Sequence, residues 1–206
     1  MQPLLSEPPR VPLGEIAEVK AGPSGARLKK LGDHPGGIPV VTPSDFTDDH
    51  RVDPRNVRSV PESAEQSLSA YRLEAGDLLV VRQGALGRLA VIGPQQGAWA
   101  FGSSCLRVRL CPEAAATPAY LAAHLEQPET LERLRGPAVS STIPSFNAAA
   151  LRDLEITLPP LPEQERIVAA LADMDEAIAA KLAVVERMRA LRPSVFSALL
   201  EGGLHE

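Results

Sequence analysis

The side chains that most often carry catalysis or bind metals are scattered along this 206-residue sequence. The histidines are His34, His50, His124 and His205. None has cysteine or carboxylate neighbours at the spacing of a metal site, and the pair Asp48 and Asp49 beside His50 is typical of a solvated loop. The sequence therefore predicts no catalytic residue and no metal site, and each histidine is interpreted as structural or exposed.

A second candidate for chemistry is the segment RQGALGR at residues 82–88. It lacks the GxxxxGK[ST] pattern with which phosphate-binding loops hold nucleotides. The apolar runs LLVV and LAVI flank it, and Gly84 and Gly87 permit a tight connection. We therefore expect a β-hairpin here, with Arg82, Gln83 and Arg88 around its turn.

Cys105 and Cys111 are the only cysteines, and no second pair or nearby histidine completes a zinc spacing. Free, buried thiols are the favoured interpretation, and a disulfide is the alternative. The sequence has no signal-like N-terminus and no run of about 18 apolar residues. These features predict a soluble protein of the cytoplasm that does not enter a membrane.

Short strands separated by turns are predicted for most of the first 160 residues. IPVVT at residues 38–42 and the two runs that flank RQGALGR suit buried strands. SCLRVRL at residues 104–110 alternates, which puts Arg107 and Arg109 together on an outer face. Helical spacing follows Pro118, and LRDLEITL at residues 151–158 is expected to be the final strand.

The joint LPPLPEQERIVAAL opens a long helix that starts at Pro162. Prolines favour extended backbone before the helix and are tolerated in its first turn. Pro193 is expected to end or kink the helix, and a short final helix could follow with Phe196, Leu199 and Leu200. An apolar stripe with spacings of three and four runs along the long helix: Ile167, Leu171, Met174, Ile178, Leu182, Val185 and Met188.

The fold class predicted from these elements is α+β, with a mixed, β-rich domain at residues 1–160 and a long coiled-coil-forming helix at residues 161–206. The net charge is −5. Since nucleic-acid-binding domains usually carry a basic face, this charge argues against nucleic-acid binding without excluding it, because only the local cations that reach the phosphates count.

The order of segments resembles one half of the DNA specificity subunit of type I restriction-modification systems. The resemblance rests on VPLGEIAEVKAG, IPVVTPSDF, LEAGDLLVVRQGALGRLAVI and GPAVSSTIPSFNAAALRDLEITLPPLPEQERIVAAL, and it covers nearly the whole chain. The LPPLPEQERIVAAL joint is its most specific part. Such subunits pair two target-recognition domains through two long antiparallel helices, whereas this sequence resembles a half-length form with one domain and one helix.

The resemblance implies a non-catalytic specificity subunit that binds double-stranded DNA and an adenine methyltransferase subunit. S-adenosylmethionine would bind to that partner, no cofactor would bind to this chain, and a restriction or translocase subunit is a further candidate partner. Pairing of two stripes would give a homodimer that reads an inverted repeat in two parts. The alternative for the stripe is packing onto its own domain.

The DNA-binding residues are predicted from loops between strands, which present variable side chains on a rigid scaffold. They are Thr42, Ser44, Asp45, Arg82, Gln83, Arg88, Ser140, Ser141, Thr142 and Asn147. Asp45 could instead cap a turn, and Ser140 to Thr142 could satisfy turn backbone. Arg107 and Arg109 could form a solvated face or contact DNA, and Lys29 and Lys30 suit general attraction of phosphates.

A second function class remains open from the sequence alone. The acidic net charge favours a protein-interaction scaffold that keeps the same fold and assembles methyltransferase subunits without useful DNA affinity of its own.

Overall fold

Short strands alternate with short helices through most of the chain in the computed structural model, which describes residues 8–135 and 145–202. The strands described are β1 (Arg10–Pro12), β2 (Ala17–Ala21), β3 (Ile38–Val41), β4 (Ser59–Val60), β5 (Leu78–Val81), β6 (Leu89–Val91), β7 (Ala100–Phe101), β8 (Cys105–Leu110) and β9 (Glu155–Thr157). The α-helices described are α1 (Leu13–Ile16), α2 (Glu65–Leu68), α3 (Pro118–Leu125), α4 (Pro128–Arg135), α5 (Ala148–Arg152) and α6 (Leu161–Gly202). Mostly antiparallel sheets and one long helix confirm the α+β class.

The main sheet has the strand order β2-β8-β5-β6 and is antiparallel throughout. Its strand β5 is the run LLVV, in which every side chain is buried. Leu78 and Val80 belong to one hydrophobic cluster, whereas Leu79 and Val81 belong to another. Because successive side chains point to opposite faces, a wholly apolar strand is what a sheet covered on both sides requires. The pairing of β5 with β6 confirms the predicted hairpin.

The prediction that Arg107 lies on an outer face of β8 is wrong, because the residue is only 3% exposed. Its guanidinium donates to Glu18 at 2.9 Å and to the Arg72 carbonyl at 3.0 Å. Arg109 donates through two nitrogens to the buried Asp77 carboxylate, each at 2.7 Å, and these hydrogen bonds raise the pKa of Arg109. The loop that carries Arg72 and Asp77 covers this face, so both arginines are engaged by carboxylates within the protein.

A smaller sheet has the order β4-β3-β7, with β3 antiparallel to β4 and parallel to β7. Ile38 and Val40 of β3 pack with Val60 and Leu68 in a third hydrophobic cluster. The predicted strand in IPVVT is thus confirmed, and it ends at Val41.

A two-stranded antiparallel ribbon joins β1 to β9. The Leu158 N–H extends the ribbon by donating to the Pro9 carbonyl at 2.8 Å. The strand predicted over residues 151–158 is only partly right, because its first residues belong to α5. Asn147 caps α5 by accepting from the Ala150 N–H, and the alanines that follow are strong helix formers.

The proline-rich joint is fixed by Gln164, whose side chain is fully buried. Its amide nitrogen donates to the carbonyls of Ala115 at 2.8 Å and Pro159 at 2.9 Å. Its amide oxygen accepts from the Thr117 N–H at 3.0 Å. α6 begins one residue before Pro162, which therefore lies in the first helical turn as predicted. Gln164 thus forms hydrogen bonds with three backbone groups at the joint.

The chain divides into two compact units, Met1–Gln164 and Glu165–Glu206. Most of α6 belongs to the second unit. The helix continues through Pro193, so of the two predicted outcomes, an end or a kink, the end is wrong. Phe196, Leu199 and Leu200 belong to α6 and not to a separate short helix. Proline removes one backbone donor, yet the residues after it stay helical. Six stripe side chains are between 37% and 63% exposed: Leu171, Met174, Ile178, Leu182, Val185 and Met188. No described helix is long and apolar enough to cross a membrane.

Both cysteines are free thiols, as favoured over a disulfide, but only Cys105 is buried, whereas Cys111 is half-buried. Cys105 is buried on β8, and burial raises its pKa to about 12. The thiol therefore stays protonated and packs as an apolar group.

We expect the free energy of unfolding to fall as the pH drops below about 6.5, the ordinary pKa of histidine, because of His124. Burial lowers the pKa of His124, and the Thr157 N–H donates to its Nε2 at 3.2 Å. The folded protein thus favours neutral imidazole, whereas the unfolded chain takes up a proton more readily. The resulting stabilisation is present above the unfolded pKa and is lost as the pH falls through the lower folded value.

Thermal unfolding of His124→Gln between about pH 5 and pH 8 checks this expectation. The glutamine amide oxygen can accept the Thr157 hydrogen bond but does not titrate, so its stability should depend less on pH than that of the wild type. His34→Gln is the control, because it makes the same chemical change at a histidine that does not contact Thr157, and it should keep the pH dependence that His124 contributes. Identical profiles for His124→Gln and the wild type would contradict the assignment.

Candidate nucleic-acid interface

The loops with the predicted site residues meet at one edge of the sheets. β2 ends with Ala21 opposite Leu106, and β5 ends opposite Cys105, the first residue of β8. β3 and β7 are parallel and end side by side. The segments beyond these strand ends, which we call the loop edge, are residues 22–25, 42–46, 82–88 and 102–104. Because residues 102–104 join β7 to β8, the edges of the two sheets meet here.

The turn at Gly102 to Ser104 connects the neighbouring segments of the loop edge. The Arg82 N–H donates to the Ser104 carbonyl at 2.9 Å, and Arg82 Nε donates to the Ser103 carbonyl at 3.1 Å. A Cβ atom on Gly22 would lie 2.1 Å from the Gly102 carbonyl oxygen, so this close approach requires glycine. Sequence reasoning did not identify this turn, whose signal is the run of small residues GSS between two apolar strands.

The TPSDF segment forms a tight turn directly after β3. One carboxylate oxygen of Asp45 accepts from the Thr42 N–H at 2.7 Å and from the Thr42 hydroxyl at 2.8 Å. Asp45 is 6% exposed, which confirms the alternative interpretation that it caps a turn. Ser44 is exposed, and its hydroxyl lies 2.8 Å from that of Thr42. Of the three predicted residues in this turn, Ser44 presents the most accessible side chain.

Arg88 is exposed but reaches back to the same turn. Its guanidinium donates to the Phe46 carbonyl at 2.8 Å and to the Pro43 carbonyl at 3.4 Å. The preceding Gly87 has φ of +83°, and a Cβ atom there would lie 2.1 Å from a methyl carbon of Leu131. Arg88 therefore braces the TPSDF turn, and its contact with nucleic acid stays a prediction.

Three predicted residues line one open cleft at the loop edge: Arg82, Gln83 and Asn147. The cleft has a volume of about 400 Å³, and Ser145 and Phe146 also line it. Gln83 is paired with Ser145 in an isolated β-bridge, and the Phe146 N–H donates to the Arg82 carbonyl at 3.1 Å. These contacts hold the hairpin turn against the segment before α5. We call this site the Arg82–Asn147 cleft.

The polar groups of the Arg82–Asn147 cleft suit recognition of a planar polar ligand. Arg82 uses Nε for the Ser103 carbonyl, and its two terminal nitrogens have no partner among the described residues. The Gln83 side chain is exposed and offers both a carbonyl acceptor and an amide donor. Asn147 uses its side-chain oxygen to cap α5, and its NH₂ group has no partner within residues 8–135 and 145–202. Such groups can form paired hydrogen bonds with base edges.

Ser140, Ser141 and Thr142 lie outside the described residues. Ser145, which sequence reasoning did not select, adds a hydroxyl to the cleft. Its only sequence signal is its position in the polar stretch before the Asn147 cap.

Within residues 8–135 and 145–202, no group of three or more histidine, cysteine or carboxylate side chains could hold a metal ion. His50 Nε2 lies 3.0 Å from Glu126, and His34 Nε2 lies 2.7 Å from the Lys30 carbonyl. Both histidines thus contact other groups of the protein. His205 lies outside the described residues.

Comparison with known proteins gives a consistent family assignment. The sequence model described as the type I restriction modification DNA specificity domain matches residues 9–187. A curated protein of Methanocaldococcus jannaschii, described as the MjaX specificity subunit of a type I restriction enzyme, is 25% identical over 177 residues. That match covers 82% of this chain and 40% of the relative, so the chain spans less than half the length of that protein.

Solved structures share the fold. A chain from a study of complex assembly and conformational transition of the type I R-M system has a TM-score of 0.69 at 23% identity, over 98% of this chain and 47% of that one. The HsdS subunit of Thermoanaerobacter tengcongensis has a TM-score of 0.56 at 22% identity, and the match covers 87% of this chain and 41% of that one. The S subunit from M. genitalium has a TM-score of 0.53 at 16% identity, and the match covers 94% of this chain and 46% of that one. With most of its length matched by the family's sequence model, this chain belongs to the type I restriction-modification DNA specificity family.

Proposed function

We propose that this chain is a specificity subunit that selects DNA sequences for an adenine methyltransferase complex through the Arg82–Asn147 cleft. The observation that carries the proposal is the convergence of Arg82, Gln83 and Asn147 on one open cleft at the loop edge. Members of this family supply specificity and not catalysis, which agrees with the prediction that the chain is not an enzyme. The methyl-transfer chemistry and its S-adenosylmethionine would belong to a separate modification subunit.

Base readout in the cleft would rest on Arg82 and Gln83. Arginine pairs with the O6 and N7 acceptors of guanine, and glutamine pairs with the N6 donor and N7 acceptor of adenine. Arg82 is positioned by its hydrogen bond to Ser103, and the backbone of Gln83 is held by its bridge to Ser145. A side chain on a braced turn loses less conformational freedom when it binds, so these two residues are the favoured base readers.

The partner that completes the DNA site is a second copy of this chain. The stripe on α6 leaves large apolar side chains exposed, among them Met174 at 61% and Leu182 at 59%. Pairing two such helices in an antiparallel coiled coil would bury both stripes in a twofold contact. Twofold symmetry of the protein requires an inverted repeat in the DNA, read in two parts with a spacer set by the helices.

The proposal predicts that Gln83→Ala relaxes sequence preference at one base pair of each half-site. Loss of one paired contact costs about 1–3 kcal/mol of discrimination, or roughly 5- to 150-fold in the ratio of binding constants. Selection from a random duplex library by the full chain, with and without the methyltransferase subunit, measures this change. Enrichment of a two-part inverted motif by the wild type is the expected starting result.

Gln95→Ala is the matched control, because Gln95 is an exposed glutamine just beyond the opposite end of β6. It should select the wild-type motif unchanged. A wild-type protein that enriches no motif, even with the methyltransferase subunit, would refute sequence selection. That outcome, combined with intact binding of the subunit, would favour the assembly scaffold that the net charge of −5 supports.

A further inference from the structure

We propose that the segment from Lys20 to Lys30, which we call the basic ridge, binds the phosphate backbone of the duplex beside the Arg82–Asn147 cleft. The inference rests on the proposed function and adds a separate contact that carries no base specificity. Its cations are Lys20, Arg27, Lys29 and Lys30. No carboxylate occurs in the sequence between Glu18 and Asp33, although the whole chain has a net charge of −5.

Tyr71 positions two cations of the basic ridge without neutralising them. Lys20 Nζ lies 5.6 Å from the Tyr71 ring centroid, and the Arg27 guanidinium lies 5.5 Å from it. Arg27 also donates to the Tyr71 hydroxyl at 2.7 Å. The ring itself packs edge-on against the buried Phe101, with 6.0 Å between centroids. Since an aromatic ring carries no net charge, both cations keep their full positive charge while they are held in place.

Three other arginines of the Met1–Gln164 unit are paired with carboxylates. Arg107 is paired with Glu18, and Arg109 is paired with Asp77. Arg72 makes an ion pair with Glu65. Within the described part of the chain, the four cations of the basic ridge have no carboxylate partner. Their positive charges are therefore available to a ligand in solution. Three of the side chains are exposed: Arg27, Lys29 and Lys30.

The basic ridge starts at the loop edge. Gly22, two residues after Lys20, packs on the Gly102 carbonyl, and the adjacent Ser103 accepts the hydrogen bond from Arg82. The same turn thus contacts both the start of the ridge and the first residue of the cleft. A duplex whose bases meet the cleft would bring phosphates close to this turn, because duplex DNA carries one negative charge per about 1.7 Å of axis.

Flexible, exposed lysines suit phosphates better than base edges, because an ammonium group acts as a point charge without the fixed geometry of a guanidinium. Phosphate contacts fix position and affinity but read no sequence directly. The basic ridge is therefore expected to strengthen binding to every duplex and to leave the choice of sequence to the cleft.

The test is a salt titration of duplex binding by the full chain with Lys29→Gln and Lys30→Gln together. Each phosphate contact contributes about 0.9 to the slope of log K against log salt concentration, so the slope should fall by nearly two. Affinity at about 0.1 M salt should drop on the order of tenfold or more for selected and random duplexes alike. The ratio between the two duplexes should stay at the wild-type value.

Arg51→Gln with Arg55→Gln is the matched control, because it removes the same charge from exposed arginines that are paired with Asp49 and Asp53. Its salt slope should equal that of the wild type. An unchanged slope in the lysine variant would overturn the basic ridge while the sequence selection of the cleft stands. A lowered ratio of affinities for the selected and random duplexes would also overturn it, because the two lysines would then contribute to sequence selection. Absence of duplex binding by the wild type would overturn the proposed function and the ridge together.

Discussion

Replacing both Ile178 and Leu182 with aspartate is expected to convert a homodimer of this chain into monomers. The two residues are 53% and 59% exposed and lie one helical turn apart on the stripe of α6. Burying an apolar side chain of this size fully stabilises association by about 1.5–3 kcal/mol, whereas an ionised carboxylate in an apolar contact is strongly unfavourable. Light scattering should report half the wild-type mass.

DNA binding should weaken in the same double variant although no residue of the loop edge is changed. When two recognition units are linked, the second binds at high effective concentration, which typically raises affinity about 100-fold or more. Affinity for the two-part site should fall by that order, while affinity for a single half-site should be unchanged. A large loss for the half-site as well would point to misfolding instead of loss of pairing.

Ala180→Asp with Ala183→Asp provides the control for this experiment. It adds the same charge to α6 at positions on the side of the helix away from the stripe, given about 100° of rotation per residue. The control should keep the wild-type mass and affinity. If the wild type is itself monomeric across the concentrations at which it binds DNA, pairing through the stripe is refuted.

Gln164→Leu is expected to give the largest loss of stability from a single substitution in the joint. The change removes the partners of the Ala115 carbonyl, the Pro159 carbonyl and the Thr117 N–H, all within the Met1–Gln164 unit. Each buried polar group left without a partner costs about 1–3 kcal/mol, so a loss of roughly 3 kcal/mol or more is expected. Urea unfolding followed by circular dichroism measures the change.

Gln164→Glu separates the hydrogen bonds from the volume of the side chain. A carboxylate can still accept from Thr117 but faces two carbonyl oxygens, so this variant should also be destabilised. Gln66→Leu, at an exposed position of α2, makes the same chemical change where no buried group depends on it, and it should alter stability by less than about 0.5 kcal/mol. Equal stability of Gln164→Leu and Gln66→Leu would show that the three hydrogen bonds do not hold the joint.

Local sequence patterns correctly predicted the elements that are determined by residues close to one another in the sequence. LLVV and IPVVT are buried on both faces or bounded by turn residues, so their apolar runs were sufficient to predict strands. The glycines at 84 and 87, both with φ of +83°, marked the hairpin correctly. Pro162 marked the first turn of α6. In each case the determining interaction lies within a few residues, where sequence spacing carries the information.

Three predictions from local pattern failed, and a distant segment explains the first of them. The alternation in β8 is real, but the side chain of Arg107 is buried because a loop 35 residues earlier covers that face and supplies the Arg72 carbonyl. The helix continues past Pro193 although proline removes a helical hydrogen bond. The strand expected to start at Leu151 is replaced there by the Asn147-capped α5, since local capping outweighs the apolar alternation.

The candidate site was predicted in part. Arg82, Gln83 and Asn147 were chosen from two separate loops, and the structure brings them to one cleft. Asp45 and Arg88 lie at the same loop edge, but one caps the TPSDF turn and the other braces it. Sequence types alone do not distinguish a polar side chain that faces a ligand from one that serves the backbone, because both roles use the same hydrogen-bonding groups.

The ribbon formed by β1 and β9 brings together the two ends of a long intervening segment. The chain enters the Met1–Gln164 unit along β1 and leaves it along β9, and the two strands are hydrogen-bonded neighbours. The segment between them, which includes the whole loop edge, therefore begins and ends at neighbouring positions. An exchange of this segment for another would leave the joint intact only if the replacement also supplies the backbone groups of Ala115 and Thr117 that Gln164 binds. Because neighbouring ends are the geometry in which a segment can be exchanged as a block, we expect chimaeras joined at β1 and β9 that keep these two contacts to fold with an unchanged α6.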